Sequence, residues 1–119
     1  MKIWLVEEYD SLRKVLGRVF EDHGNQFRGL ETPGELLELL GSSQERPDLI
    51  YCKAGERQLL GHRWHVDAVG LFDELARLYA WRASGFIIFV ASASQEFTTR
   101  AHDRNLRVIM IPEMVRKIG

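Results

Sequence analysis

Short apolar runs alternate with amphipathic segments along the chain, and this alternation is what most limits the folds available to it. Four runs are strongly apolar and one, the second in chain order, is weaker; they occupy residues 3–6, 26–30, 49–52, 86–90 and 108–111. Such short runs are typical of strands buried on both faces of a sheet. In the intervals, apolar residues recur at helical spacing over about 11–23, 33–40, 67–79 and 94–105. The pattern therefore predicts strands and helices in strict alternation.

Short polar side chains mark where the predicted helices begin. Asp10 or Ser11 can cap the first helix, because a short side-chain oxygen accepts hydrogen bonds from the free amides of a first turn. Residues 32–35 form a capping-box signature with proline at the first helical position. Residues 92–94, Ser-Ala-Ser, are interpreted as the cap of the fourth helix. Residues 113–119 suffice for only a turn or two, so the last helix is predicted to be short or truncated.

Strands that alternate with helices favour a parallel sheet covered by helices on both faces. Right-handed crossover connections leave few topologies for a chain of 119 residues. We expect a single domain over 1–119, an α/β three-layer sandwich with the flavodoxin-like strand order 2-1-3-4-5.

Composition excludes several classes of function. The formal net charge is -1, which provides no basic field for nucleic acid and no polybasic face for a membrane. No apolar run approaches the roughly 20 residues of a membrane span. Cys52 is the single cysteine, so no internal disulfide can form. We expect a cytoplasmic protein that makes no direct contact with nucleic acid or membrane.

Three charged residues follow the two strands that this topology places side by side. Glu7 and Glu8 follow the first apolar run, and Lys53 follows the third. The carboxyl ends of these neighbouring strands flank the point where the strand order reverses, which is where such folds place their sites. The predicted fold therefore brings two carboxylates and one ammonium together.

With these residues in place, the chain resembles the receiver domain of two-component response regulators, the CheY-like domains, over nearly its whole length. In that family the first strand ends in an acidic pair that holds magnesium, and the third ends in an aspartate that accepts a phosphoryl group. The fourth strand ends in a serine or threonine and the fifth in a lysine, both of which contact the phosphoryl group. The likeness is carried by residues 3–8, 47–53, 86–91 and 108–112.

The functional positions of the family match this sequence poorly. Glu7 and Glu8 fall on the acidic pair, but Lys53 falls on the phosphoryl acceptor. Val90 falls on the hydroxyl position and Ile111 on the lysine position. An acyl phosphate needs a carboxylate, which an ammonium cannot replace. The resemblance therefore implies the receiver fold with a degenerate phosphorylation site, as in a pseudo-receiver.

The residues themselves predict an ion cluster instead of a metal site. Magnesium prefers oxygen ligands in near-octahedral geometry, and an ammonium in their midst repels the ion. We expect Lys53 to pair with Glu7 or Glu8 as a fixed counter-ion. We accordingly predict no metal, no cofactor and no enzymatic activity at this site.

The function favoured by the resemblance is a phosphorylation-independent module that binds a protein partner or output domain in signal transduction or transcription regulation. By analogy, the contact surface is formed by the fourth helix, the fifth strand and the last helix. The short segment after Pro112 suggests that the chain is the N-terminal part of a longer regulator. A homodimer that completes the exposed sheet edge is a further possibility. The candidate partner-binding residues are Trp64 in the polar loop 54–65, Arg100, Arg104, Met110 and Met114. The alternative for Trp64 is packing against the sheet edge.

Two other functions remain open at this point. One is a sensor of a small ligand or anion, bound at the carboxyl edge of the sheet near Lys53. The other is an enzyme that uses Glu7, Glu8 and Lys53 on a small substrate. We rank the enzyme last, because the sequence has no recognisable nucleophile-base pair.

Overall fold

The structure is a computed structural model that describes residues 1–56 and 64–111. Its strands are β1 Lys2–Val6, β2 Gln26–Leu30, β3 Leu49–Lys53, β4 Phe86–Val90 and β5 Arg107–Met110. Its helices are α1 Asp10–Asp22, α2 Pro33–Ser42, α3 Ala68–Tyr79 and α4 Gln95–His102, with a 3-10 turn at Ala83–Gly85. The predicted alternation of strands and helices is confirmed. Met114, the end segment 113–119 and most of the loop 54–65 lie outside the described residues.

The strands form one parallel sheet in the order β2-β1-β3-β4-β5. This confirms the predicted flavodoxin-like topology. The central strands β1 and β3 are in register with Val6 opposite Cys52, so Glu7 and Lys53 are the next residues along this edge. The register of β3 and β4 sets Lys53 opposite Phe89. The topology thus brings the ends of β1, β3 and β4 together on one side of the sheet.

Each face of the sheet packs against its own layer of helices, because side chains alternate between faces along a strand. One face meets α2, α3 and α4 and includes Trp4, Val6, Ile50, Cys52, Ile88, Leu36, Phe72 and Phe97. The opposite face meets α1 and includes Ile3, Leu5, Tyr51, Ile87, Phe89, Leu16 and Phe20. Every residue of β4 is buried, so this strand contributes side chains to both cores.

Helix caps agree with the sequence at two helices and differ at the first. The Thr32 hydroxyl accepts from the Glu35 amide at 3.2 Å, and the Ser94 hydroxyl accepts from the Phe97 amide at 3.1 Å, as predicted. The prediction that Asp10 or Ser11 caps α1 was wrong, since Tyr9 is the N-cap residue and its side chain makes no capping bond. Asp10 lies within the first turn, where Lys14 lowers the pKa of its carboxyl by hydrogen bonding.

The described helices are short by membrane standards. Within residues 1–56 and 64–111, none combines the length and the apolar character needed to cross a bilayer.

Candidate functional site

The candidate site is a cluster of charges at the carboxyl ends of β1 and β3. The Lys53 ammonium lies 3.5 Å from Glu7 Oε2 and 3.4 Å from Glu8 Oε1. Glu7 is 0% exposed, whereas the Lys53 side chain retains 25% of its accessible surface. The three side chains that the topology was expected to gather are therefore in contact.

Glu7 is anchored by its backbone amide and by one carboxylate oxygen, while its other carboxylate oxygen makes no hydrogen bond to a described residue. Its amide donates to the Leu30 carbonyl at 2.9 Å, which continues the hydrogen bonding of β1 to β2. Its Oε2 atom accepts from the Tyr9 amide at 3.2 Å. Its buried Oε1 atom makes no hydrogen bond to any described residue. A buried carboxylate in this state depends on a nearby cation, because an unpaired buried charge is strongly unfavourable.

An aromatic ring completes the surroundings of the lysine. The Lys53 ammonium lies 4.2 Å from the centroid of the Tyr9 ring, within the range of a cation–π interaction. Tyr9 is 57% exposed, so it separates the ammonium from solvent on one side while remaining at the surface. Tyr9 was not predicted as part of the site, because an aromatic residue in a strand-helix loop carries no signal of its own.

The site does not fit the magnesium ion that the receiver fold implies. An octahedral magnesium site needs several oxygen ligands directed at one point. Here Glu7 and Glu8 converge on the Lys53 ammonium, which occupies the place between them. In the part of the chain that the structure describes, no group of three or more His, Cys, Asp or Glu side chains could hold a metal ion.

The neighbouring thiol is not a nucleophile. Cys52 is fully buried, and its Sγ atom lies 3.2 Å from the Lys53 carbonyl oxygen. Burial raises the pKa of this thiol well above its ordinary value, and the negative charges of Glu7 and Asp67 raise it further. A thiol that stays protonated at neutral pH is inert, because the thiolate is the reactive form.

A small cleft opens beside the ion cluster at the ends of β3 and β4. Its volume is about 190 Å³, and its lining includes Tyr9, Lys53, Glu56 and Ser92. Val90 is buried at the end of β4 and also lines the cleft. Ile111 packs against the opposite core cluster. The two predicted positions thus offer neither a hydroxyl nor an amine to a bound group.

One polar contact near the cleft was not predicted from the sequence. The Ser94 amide donates to both carboxylate oxygens of Glu56, at 3.0 and 3.3 Å, and the Ser94 hydroxyl donates to Oε1 of the same carboxylate. Ser94 was recognised from its cap position, but its partner lies 38 residues earlier, in the loop after β3. Pairing over such a distance follows from the topology and leaves no local pattern.

Trp64 was expected to face a partner, and this prediction was wrong. Trp64 is 1% exposed and belongs to the core that meets α2 and α3. Its indole N–H donates to the Glu31 carbonyl at 3.1 Å. A large ring that finds both apolar neighbours and a hydrogen-bond acceptor is stabilised inside the protein rather than at a surface.

The remaining described candidates for partner binding lie on α4, just beyond it, and on β5. Arg100 bonds to Asp67 at 2.8 Å, and Arg104 forms a two-pronged contact with Asp73 at 2.6 and 2.9 Å. These pairs link the α4 region to α3. Met110 at the end of β5 is 46% exposed.

Comparisons with known proteins identify the fold. No protein family model and no curated protein matches the chain. The chain is similar to the signal receiver domain of an HD domain-containing protein from Pseudomonas fluorescens, with a TM-score of 0.76, 16% identity and coverage of 98% of this chain and 89% of that one. It is similar to a CheY-like receiver domain protein from Methanospirillum hungatei, with a TM-score of 0.75, 17% identity and coverage of 98% and 89%. The third likeness is to NtrX from Brucella abortus, with a TM-score of 0.75, 14% identity and coverage of 98% of this chain but 25% of that one.

Identities this low establish the fold and nothing finer. The protein has the fold of CheY-like response regulator receiver domains.

Proposed function

We propose that this protein is a phosphorylation-independent pseudo-receiver, a module that acts in signal transduction by binding a protein partner or output domain. The receiver fold supports the signalling context. The observation that carries the proposal is the contact of the Lys53 ammonium with both carboxylates at the end of β1, at 3.5 and 3.4 Å. An internal cation in that position makes the site independent of a divalent ion.

Phosphoryl transfer to this site lacks its chemical requirements. A charged ammonium has no lone pair with which to attack a phosphodonor. Glu7 is buried against Lys53 and already accepts from the Tyr9 amide, so it is not presented to a reagent. The neighbouring Cys52 is kept protonated by its burial. A regulator built in this way acts through a constant surface rather than through a modified state.

The α4–β5 surface is the proposed contact face. The ion pairs of Arg100 with Asp67 and of Arg104 with Asp73 tie the α4 region to α3. A face fixed by such links needs little reorganisation when it binds, which favours a constitutive interaction. Met110 contributes an exposed apolar side chain beside these charges. Because the chain spans only 25% of the NtrX chain, an output domain in the same polypeptide fits the proposal as well as a separate partner does.

The direct test is exposure of the protein to a small phosphodonor. The purified chain is incubated with acetyl phosphate and magnesium, and its intact mass is measured against time. We expect no added phosphoryl group, while a receiver domain that carries the acceptor aspartate gains one under the same conditions. A stoichiometric mass gain on the wild-type chain would overturn the proposal.

A small-ligand sensor is the second candidate, and the cleft of about 190 Å³ beside Lys53 favours it. Such a cleft accommodates a small metabolite, with Tyr9 and Ser92 in its lining. A thermal-shift screen of small anions and metabolites tests it, since a ligand that binds the folded state raises the melting temperature. A saturable rise for one compound would favour the sensor, and no rise across the screen leaves partner binding as the proposed function.

A further inference from the structure

We infer that Glu56 is a positioning residue that supplies, from within the chain, the anion at the start of α4. Through Ser94 it holds α4 in one position without any added group. The inference deepens the proposed function and rests on it only for the role of the α4–β5 surface. The contact itself can be tested on the isolated protein.

The contact spans two loops at the carboxyl edge of the sheet. Glu56 lies in the loop after β3, and Ser94 is the residue that caps α4. Both Glu56 oxygens accept from the Ser94 amide, and one also accepts from the Ser94 hydroxyl. Hydrogen bonds to an ionised acceptor are about twice as strong as those between neutral groups. The carboxylate therefore joins the loop after β3 to the start of α4 through charge-assisted bonds.

The bonds continue from Glu56 into the core. A serine hydroxyl has one hydrogen and two acceptor sites. Because Ser94 donates its hydrogen to Glu56, its oxygen is oriented to accept from the Phe97 amide, at 3.1 Å. Phe97 is 1% exposed and packs in the core that meets α2, α3 and α4. The carboxylate thus determines the rotamer of the capping hydroxyl, and the cap in turn fixes the first turn of α4.

The charge of Glu56 suits the end of the helix at which it lies. The free amides and the aligned peptide dipoles make a helix N-terminus partly positive, so a negative group is stabilised there. Glu56 also shares the lining of the cleft with Lys53 and Ser92. An anion entering the cleft would meet a Ser94 amide that is already bonded. The internal carboxylate therefore takes up the position that an exogenous anion would need in order to reach α4.

A second link runs between the same two parts of the molecule. Asp67 caps α3 by accepting from the Gly70 amide at 2.8 Å, and its other oxygen accepts from Arg100 of α4 at 2.8 Å. Helix α4 is therefore tied to the β3–α3 connection both at its cap and in its last turn. Two attachment points restrict rotation as well as translation of the helix, whereas one would restrict translation alone.

The test compares Glu56→Ala with Glu96→Ala by amide hydrogen exchange, measured residue by residue by NMR. Glu96 lies in the first turn of the same helix, so its substitution removes the same charge from the same helix end without removing the bonds to Ser94. Loss of a charge-assisted bond predicts exchange about tenfold faster or more at Ser94 and Phe97 in Glu56→Ala. Glu96→Ala should leave both rates close to wild type.

Rescue by a free anion tests whether Glu56 acts through its negative charge or only through the bulk of its side chain. Sodium acetate should restore slow exchange at Ser94 and Phe97 in Glu56→Ala, while sodium chloride at equal ionic strength should not. Glu56→Gln keeps the size of the side chain, so it serves as a second variant in case Glu56→Ala unfolds. Its exchange rates at Ser94 and Phe97 should lie between those of the wild type and of Glu56→Ala. The inference is overturned if exchange is unchanged in both Glu56 variants, or if acetate has no more effect than chloride. Neither result bears on the phosphodonor experiment, so failure of the two ideas can be told apart.

Discussion

The indole ring of Trp64 lies directly against the backbone of Gly55. A Cβ atom at Gly55 would come within 2.6 Å of Trp64 Cζ3, closer than real Cβ contacts occur. Gly55 also has a φ of +58°, in the left-handed region that glycine adopts without strain. The contact ties the start of the loop after β3 to its return at Trp64. Glu56, the next residue, is thereby held within reach of Ser94.

This contact predicts that Gly55→Ala is strongly destabilising. The left-handed backbone should cost about 1–2 kcal/mol for any residue with a Cβ, and the overlap with Trp64 should add about 1–3 kcal/mol. Gly24→Ala is the matched control, because Gly24 has a φ of +84° and a Cβ there would meet nothing within 4 Å. The free energy of unfolding is measured by urea titration. Equal losses in the two variants would contradict the packing argument.

The buried carboxylate predicts a large penalty for removing its cation. Lys53→Met should lower the free energy of unfolding by about 3 kcal/mol or more, because Glu7 then remains buried without a counter-ion. Lys14→Met is the control, since Lys14 is 75% exposed and pairs with Asp10 at the surface; it should cost less than about 1 kcal/mol. In a double-mutant cycle, Glu7→Gln should relieve part of the Lys53→Met loss. Independent effects of the two substitutions would show that the pair is not coupled.

Replacing the cation with a carboxylate is expected to create a metal site. Lys53→Asp sets a third carboxylate beside Glu7 and Glu8, and oxygen ligands of this kind bind magnesium or manganese. Added manganese should therefore raise the melting temperature of Lys53→Asp. At a manganese concentration one hundred times the dissociation constant, its free energy of unfolding should increase by about 2.7 kcal/mol. The wild type should not respond. Lys53→Asn is the control, and an equal response from it would mean that loss of the ammonium alone suffices.

The buried thiol of Cys52 and the buried phenol of Tyr51 predict a loss of stability at alkaline pH. Burial raises the pKa of Cys52 well above its ordinary 9.0, and it raises the pKa of Tyr51 above 10.0. Their contribution to stability is complete below these ordinary values, because both groups are then protonated in the folded and unfolded states. As pH rises through them, the unfolded state loses protons that the folded state retains. Stability should therefore fall with pH, by up to about 1.4 kcal/mol per unit for each group.

The alkaline loss is measured by urea titration at increasing pH, with Cys52→Ala as the comparison. The variant should keep the fall that begins near the ordinary tyrosine pKa of 10.0 but lose the one that begins near 9.0. If the free energy of unfolding falls equally steeply in the two proteins between pH 9.0 and 10.0, the buried thiol makes no contribution.

Much of the fold followed from the sequence because the determining signals are local. Runs such as residues 86–90 are short, wholly apolar and rich in β-branched and aromatic residues, which favours buried strands. Thr32 and Ser94 mark helix starts by a chemistry that acts within one turn. Asp10 failed as a cap because two nearby cations, Arg13 and Lys14, compete for its carboxylate. Local signals therefore work until a neighbouring side chain offers a better partner.

The candidate site was predictable only where it depends on topology. Strand order alone brings Glu7, Glu8 and Lys53 to one edge, because parallel strands end on the same side of a sheet. Whether these groups touch depends on rotamers, and the Tyr9 ring over Lys53 had no signature in the sequence.

By itself, then, the sequence determined the alternation of strands and helices, the sheet order and the placement of one ammonium and two carboxylates at one edge of the sheet. The tertiary structure alone decided that Trp64 is buried against Gly55, that Glu56 bonds to Ser94 and that Arg100 pairs with Asp67. The physical reason is the distance along the chain over which each interaction acts. Periodicity and capping act over a few residues, whereas these contacts join segments that become neighbours only after the sheet has assembled.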